Sequence, residues 1–371
     1  MGFSQMEGLA LMISEMRTVS RFIRLGLARP SFRLFASCWL SCCGIGLLVT
    51  TAPAQSKTVM VVVGAEGAPE YGIQFRRWAE KWRAAIESTS STESAKGKES
   101  AEPSTEVMPT PPIECLTIGL DAADAAADLE SIESELNRIA QAGCQEFWLV
   151  LIGHGTYDQR TAKFNLRGPD LSAEDLKAWL APLKGRVVVI NCTSASSPFI
   201  NQLTGQRRVI VTATKSGAEQ NFARFGGFLA DCLSDTTIDL DKDQQTSLLE
   251  AFLAASARTQ EFYHQEARLA TESALLDDNS DGLGTPAEWF SGTRAVKQPI
   301  QGIADGLVAN QIFLRPGTWE TRLSAEQLEQ RNRLELRLEQ LRLKKSTLPE
   351  DGYFEQLEKI MLELATLYSA K

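Results

Sequence analysis

Four short apolar runs punctuate the chain, at 59–63, 147–152, 187–190 and 209–212, each of strand length and rich in β-branched or aromatic residues. A weaker fifth lies at 113–118. Between the runs, apolar positions recur three and four apart, which predicts helices over 70–86, 122–142 and 172–183. The last opens on Ser172 with Asp175 three residues on, a variant of the capping box. Strands that are apolar at every position, alternating with helices, predict a mainly parallel sheet flanked by helices on both faces, an α/β/α sandwich with right-handed crossovers.

The pattern breaks twice. Residues 88–112, STSSTESAKGKESAEPSTEVMPTPP, offer few groups to a core and are expected to be a disordered insertion inside the domain. Toward the end, 323–345 and 353–368 are helical in pattern and separated by Pro349-Glu350-Asp351-Gly352, a helical hairpin. In its second arm Phe354, Leu357, Met361, Leu364 and Tyr368 form a stripe that packs on the first arm or, alternatively, on a second copy of the chain.

Ahead of the first strand, Arg17, Arg21, Arg24, Arg29 and Arg33 precede the apolar residues 34–49, and Ala52-Pro53-Ala54 supplies a small-x-small site. This is a secretory signal pattern, with an uncleaved membrane anchor as the alternative; either places the body outside the cytoplasm. The expected organisation is therefore 1–54 leader, 55–316 α/β domain and 317–371 hairpin. Loss of the leader removes five Arg and two Glu, taking the net charge from −9 to −12. An acidic body of this kind lacks the electrostatic footprint of a nucleic-acid binder. The leader also holds Cys38, Cys42 and Cys43, leaving Cys115, Cys144, Cys192 and Cys232, too scattered to predict a disulfide.

Chemistry-bearing residues concentrate after two of the strands. FWLVLI ends in Gly153-His154-Gly155, and VVVI ends in Asn191-Cys192-Thr193-Ser194-Ala195-Ser196. In an open parallel sheet, groups beyond the carboxyl ends of strands line the crevice that helices leave free. His154, one of two histidines, and Cys192 are thus expected at one edge, on neighbouring strands. Such a pair forms a nucleophilic dyad, with thiolate attack on a carbonyl and proton transfer by imidazole. Gly155, lacking a side chain, brings its N–H close enough to form an oxyanion hole with the N–H of Cys192.

Over roughly 57–290 these residues resemble the caspase-like cysteine peptidases, and within them the legumain-type branch. The family has a strand ending in His-Gly, a crossover, and a strand ending in the nucleophilic cysteine; here His154-Gly155 and Cys192 occur in that order, 38 positions apart. Legumain-like enzymes continue C-x-S-G-S, and Cys192 to Ser196 read C-T-S-A-S. The strand and polar loop of VIVTATKSGAEQNFARFGGFLADCL are also similar. The resemblance implies a caspase-like fold and an exported cysteine endopeptidase that needs no cofactor, with Cys192 as nucleophile, His154 as acid and base, and Ile190, Asn191 and Ser194 at the substrate pocket. Lys215, Glu219 and Arg224 are further specificity candidates. Two departures matter: Ile190 stands where the family has a polar pocket residue, and Asn191 where it has a small one. Neither Asn nor Asp specificity follows.

The same dyad also serves a transpeptidase, and a caspase-like binding module without catalysis is the alternative of a different class. Two acidic loops remain. Asp277, Asn279, Asp281 and Glu288 match an EF-hand loop, a structural calcium site or else a solvated turn. Asp239, Asp241, Asp243, Ser247 and Glu250 match less well, with Gln244 at the glycine position. His264, read within a helix over 261–276, has no second histidine beside it and is expected to be a surface or half-buried helical residue.

Overall fold

The computed structural model describes residues 57–95, 113–120, 127–297, 303–317 and 320–369. The leader and residues 96–112 of the linker lie outside the described residues. In chain order the strands are β1 (Lys57–Val63), β2 (Glu114–Ile118) and β3 (Glu146–Ile152), followed by a small antiparallel sheet of β4 (Gly155–Tyr157), β5 (Ala162–Phe164) and β6 (Leu171–Ser172). Then come β7 (Arg186–Asn191), β8 (Arg208–Thr212), β9 (Leu275–Asp277) and β10 (Thr285–Pro286). Alternating with them are helices α1 (Pro69–Ala95), α2 (Asp128–Ala142), α3 (Ala173–Leu180), α4 (Pro198–Leu203), α5 (Phe225–Ser234) and α6 (Leu248–Gln265).

The main sheet runs β10-β9-β8-β7-β3-β1-β2. From β8 to β2 every pairing is parallel; β9 is antiparallel to β8, and β10, antiparallel to β9, forms the edge. Each of the five apolar runs forms a strand, so the fold is the expected mainly parallel α/β sandwich. Alternate residues of each strand feed separate cores. Val59, Trp148, Ile190 and Val211 pack under α1, α5 and α6, whereas Met60, Leu149, Val189 and Ile210 pack under α2, α3 and α4. This is why the runs carry no polar alternation. Burial of each such side chain contributes roughly 1.5–3 kcal/mol.

Two expectations of secondary structure are corrected. Helix α1 continues to Ala95, so the first part of the expected disordered insertion is helical. No glycine or proline interrupts ESTSSTESA, and a helix already nucleated on a core can propagate through such a stretch. The helix read over 261–276 ends at Gln265, and Leu275–Asp277 joins the sheet instead, Leu276 pairing with Val211. Local propensity yields there to pairing on an exposed edge of β8. His264 is exposed as expected.

The hairpin forms from α7 (Ala325–Leu343) and α8 (Glu350–Ser369). Its seam is Tyr353, Ile360, Leu364 and Leu367 against Leu334 and Leu341, with Leu357 and Met361 at the flank. Phe354 and Tyr368, expected in the seam, are exposed. The two stripes share Leu364 and part by one position at their ends, where apolar or aromatic residues stand on both, so helical spacing alone does not choose between them. The base of α7 is tied to the preceding segment by the buried Arg331–Glu320 ion pair and by Gln311 donating to Glu335 at 2.6 Å. Among the described residues no helix is long and apolar enough to cross a membrane.

Helix α6 begins with a full capping box: the Ser247 hydroxyl accepts from the Glu250 N–H at 3.2 Å, and the Glu250 carboxylate accepts from the Ser247 N–H at 2.8 Å. Ser247 also donates to Asn310. Ser247→Ala is expected to cost about 1–2 kcal/mol. Urea unfolding checks this as a lowered midpoint with unchanged slope.

Candidate active site

The chain leaves β1 for β2 on one side and returns to β3 on the other, so the sheet reverses its order between β1 and β3. Crevices form beyond the carboxyl ends of strands at such a point. His154 follows β3 there, and its Nε2 lies 3.3 Å from the carbonyl of Glu66, just beyond β1. Its backbone is fixed by the small sheet: Asn165 N–H donates to the His154 carbonyl at 3.0 Å, and the Asn165 carbonyl accepts from Ala65 N–H at 2.9 Å. The imidazole stands among aromatic rings, edge-on to Tyr71 at 5.1 Å and Phe75 at 5.2 Å from α1, and 6.2 Å from Phe222.

Cys192 lies one strand away, immediately after β7, which pairs directly with β3. Alternation carries its side chain to the α1, α5 and α6 face, the face on which the His154 ring meets Phe75. The dyad residues therefore share an edge and a face, as expected. They are not engaged, since no hydrogen bond joins them among the described residues. The thiol is fully buried, and the first turn of α5 lies against it: a Cβ on Gly226 would meet Cys192 Sγ at 2.6 Å. Gly227, next along, faces the Trp78 indole just as closely. Burial first, and then the Glu272 charge, push the Cys192 thiol well above its ordinary range.

The expected oxyanion pair does not form in this arrangement. The Cys192 N–H donates to the Leu151 carbonyl at 2.9 Å as part of the sheet, and the Gly155 N–H donates to Ser194 Oγ at 3.3 Å. Ser194 Oγ returns a bond to the Gly155 carbonyl at 3.1 Å, and a Cβ on Gly155 would collide with the Ser194 carbonyl. Gly155 thus permits two loops to touch. The three residues expected at the pocket are buried as well. Ile190 lies in the core and Ser194 is held by Gly155. Asn191 accepts from Thr193 Oγ1 at 2.7 Å while its Nδ2, also buried, has no partner. A central strand covered on both faces has no side for a cleft, which is the reason.

The segment after β8 roofs the site. Glu219 accepts the Ala195 N–H through its carbonyl and the Lys215 N–H through its carboxylate, while Gly217 lies on the Tyr157 ring. Phe222 stacks on Tyr71 at 4.7 Å, and the Arg224 guanidinium sits 4.4 Å from the Phe262 ring centre. Glu272 anchors the end of this roof. Its side chain is almost wholly buried, accepting from the N–H groups of Arg224 and Phe225 and from the Tyr263 hydroxyl, and burial raises its pKa. Sequence reasoning missed Glu272 because it was read inside a helix. Tyr71 and Phe75, four apart on α1, were legible as a pair, but not their contact with His154.

The acidic loops exchange rank. Asp277 is buried in β9 and Glu288 exposed, and the carboxylates of Asp277, Asp281 and Glu288 do not gather, while Asn279 donates to Asp281 and to the Ile303 carbonyl. In the other loop Asp239, Asp241 and Asp243 bring ligand oxygens within 4.8 Å of one another. Gln244 there has a φ of 72°, the left-handed conformation for which glycine is expected. Gly282, at the same position of the first loop, has a φ of 73°, so the turn is shared and it is the placement of the carboxylates that differs. Cys115, Cys144, Cys192 and Cys232 form no disulfide with one another.

Fold and site define an α/β sandwich with a histidine and a cysteine at the carboxyl edge of adjacent parallel strands. No known family model matches the chain, and no curated protein matches it in sequence. Among solved structures it is similar to the initiator caspase Dronc of Drosophila, at 11% identity and a TM-score of 0.37, over 70% of this chain and 95% of that one. It is also similar to a structural-genomics target from Geobacter sulfurreducens, at 11% identity and a TM-score of 0.32, over 62% of this chain and 97% of the other.

Proposed function

We propose that the protein is an exported cysteine endopeptidase of the legumain-like kind. The observation that carries this reading is the convergence of His154 and Cys192 on one face at the sheet's carboxyl edge. The Cys192 sulfur attacks the carbonyl carbon of a peptide bond, and its proton passes to His154. The imidazolium gives that proton to the leaving amine as the C–N bond breaks, leaving a thioester. Water, deprotonated by His154, attacks the thioester; the acid departs and the proton returns to sulfur. An amine in place of water would give transpeptidation. No cofactor takes part. Rotation of Ser194 Oγ would free the Gly155 N–H for the oxyanion, whereas the Cys192 N–H stays in the sheet.

Hydrolysis of a peptide library varied at the residue before the cut, by protein lacking residues 1–54, tests the reading. Cleavage that depends on Cys192 supports it and names the preferred residue. The complete burial of the thiol favours a second reading, a binding module that keeps the fold without catalysis. No cleavage, even after limited proteolysis, would decide for that module.

A further inference from the structure

The burial of Cys192 has an identifiable cause one residue from the thiol. Helix α5 has no side-chain cap of its own: Arg224 occupies the N-cap position, and its side chain turns to Phe262 instead. The cap is supplied from 47 and 48 positions downstream by Glu272, which takes the Arg224 N–H at 2.8 Å and the Phe225 N–H at 3.0 Å. Tyr263 Oη, itself bonded to Thr271, donates to Glu272 at 3.0 Å and fixes the carboxylate from the α6 side. The next residue is Gly226, whose lack of a side chain lets this turn lie on the sulfur.

We propose that Glu272 is a latch: its carboxylate ties the first turn of α5 over Cys192, and release of that tie exposes the thiol. The latch regulates the site proposed above and rests on that reading for its purpose, though not for its mechanics. A thiol at the start of a helix is ordinarily activated by the free N–H groups and the helix dipole. Here the carboxylate occupies those N–H groups and sets a negative charge beside the sulfur. The groups facing Glu272 are Arg224 from the roof, Tyr263 from α6 and Cys192 from β7. Burial raises the Glu272 pKa in the closed form, so closing takes up a proton there. Low pH therefore favours the closed form, and the latch loosens as pH rises through that raised value. Ionisation of the thiol, also resisted by burial, acts in the same direction.

The test is the rate of alkylation of Cys192 by iodoacetamide, followed by peptide mass from pH 5 to 9 in the otherwise intact protein. Cys144 and Cys232 serve as buried controls. Glu272→Ala removes every acceptor that ties the turn, and is expected to speed Cys192 labelling about tenfold or more, the factor for one lost charge-assisted hydrogen bond. Tyr263→Phe keeps both N–H bonds and should act in the same direction by only a few-fold. Glu272→Gln, neutral at every pH and still an acceptor, should stay closed and lose the loosening that Glu272 ionisation gives as pH rises, a response that loosened packing alone does not give. An unchanged Cys192 rate in Glu272→Ala overturns the latch, as does an equal rise at Cys232 in Glu272→Ala and Tyr263→Phe. Labelling requires no turnover. A thiol that opens without any peptide cleavage leaves the latch standing and removes the peptidase, whereas cleavage with unchanged labelling does the reverse.

Discussion

Cys192→Ala is expected to reduce peptide hydrolysis to the uncatalysed background while leaving far-UV dichroism unchanged. Without sulfur no thioester forms, and no other described cysteine can replace it: Cys144 lies at the opposite end of the sheet, at the start of β3, Cys115 is on the far edge strand β2, and Cys232 is in α5. The fold should tolerate the change, because alanine keeps the Cβ that packs against Gly226 and removes only the sulfur. His154→Ala should be less complete, a loss of roughly 10²–10⁴-fold in kcat, the usual contribution of one general acid and base. Stopped assays on the best library peptide distinguish the two. A Cys192→Ala protein that cleaves at the wild-type rate would end the peptidase proposal.

The largest expected effect on stability is at Phe75. This ring is fully buried, lies 6.0 Å from Trp78 and 5.9 Å from Phe222, and forms one wall of the His154 enclosure. Phe75→Ala is expected to cost about 3–5 kcal/mol, transfer and cavity contributions together, because the sheet beneath and α1 around it are too tightly packed to collapse into the space. Phe354→Ala is the matched control. Its ring is 47% exposed on the hairpin, and its loss should change stability by only about 0.5 kcal/mol. Parallel urea melts measure both, and a midpoint for Phe75→Ala within error of the control would show that the aromatic cluster is not a structural support of the site.

The strands were legible because burial on two faces leaves a plain mark: 147–152 and 187–190 contain no polar residue, and both were found within a residue or two of their limits. The placement of His154 and Cys192 followed from the same runs, since whatever comes next in the chain must emerge at the strand's carboxyl end. Reading failed where two patterns were equally good. The ATESALL stretch suits a helix, yet β9 forms there because β8 has an open edge to fill. In the hairpin stripe Leu357, Met361 and Leu364 were placed correctly, and only the ends were displaced by one residue, Tyr353 and Leu367 taking the places read for Phe354 and Tyr368.

By itself, the sequence determined the layered parallel architecture and the edge at which His154 and Cys192 emerge, both of them consequences of local periodicity and of chain direction. Only the tertiary structure decided that the thiol is covered, that Gly155 and Cys192 have committed their N–H groups, and that Glu272 caps a helix nearly fifty residues away. Those features depend on which distant backbone groups meet in a low-dielectric interior, where each buried donor must find an acceptor, and no pattern along the chain encodes that pairing.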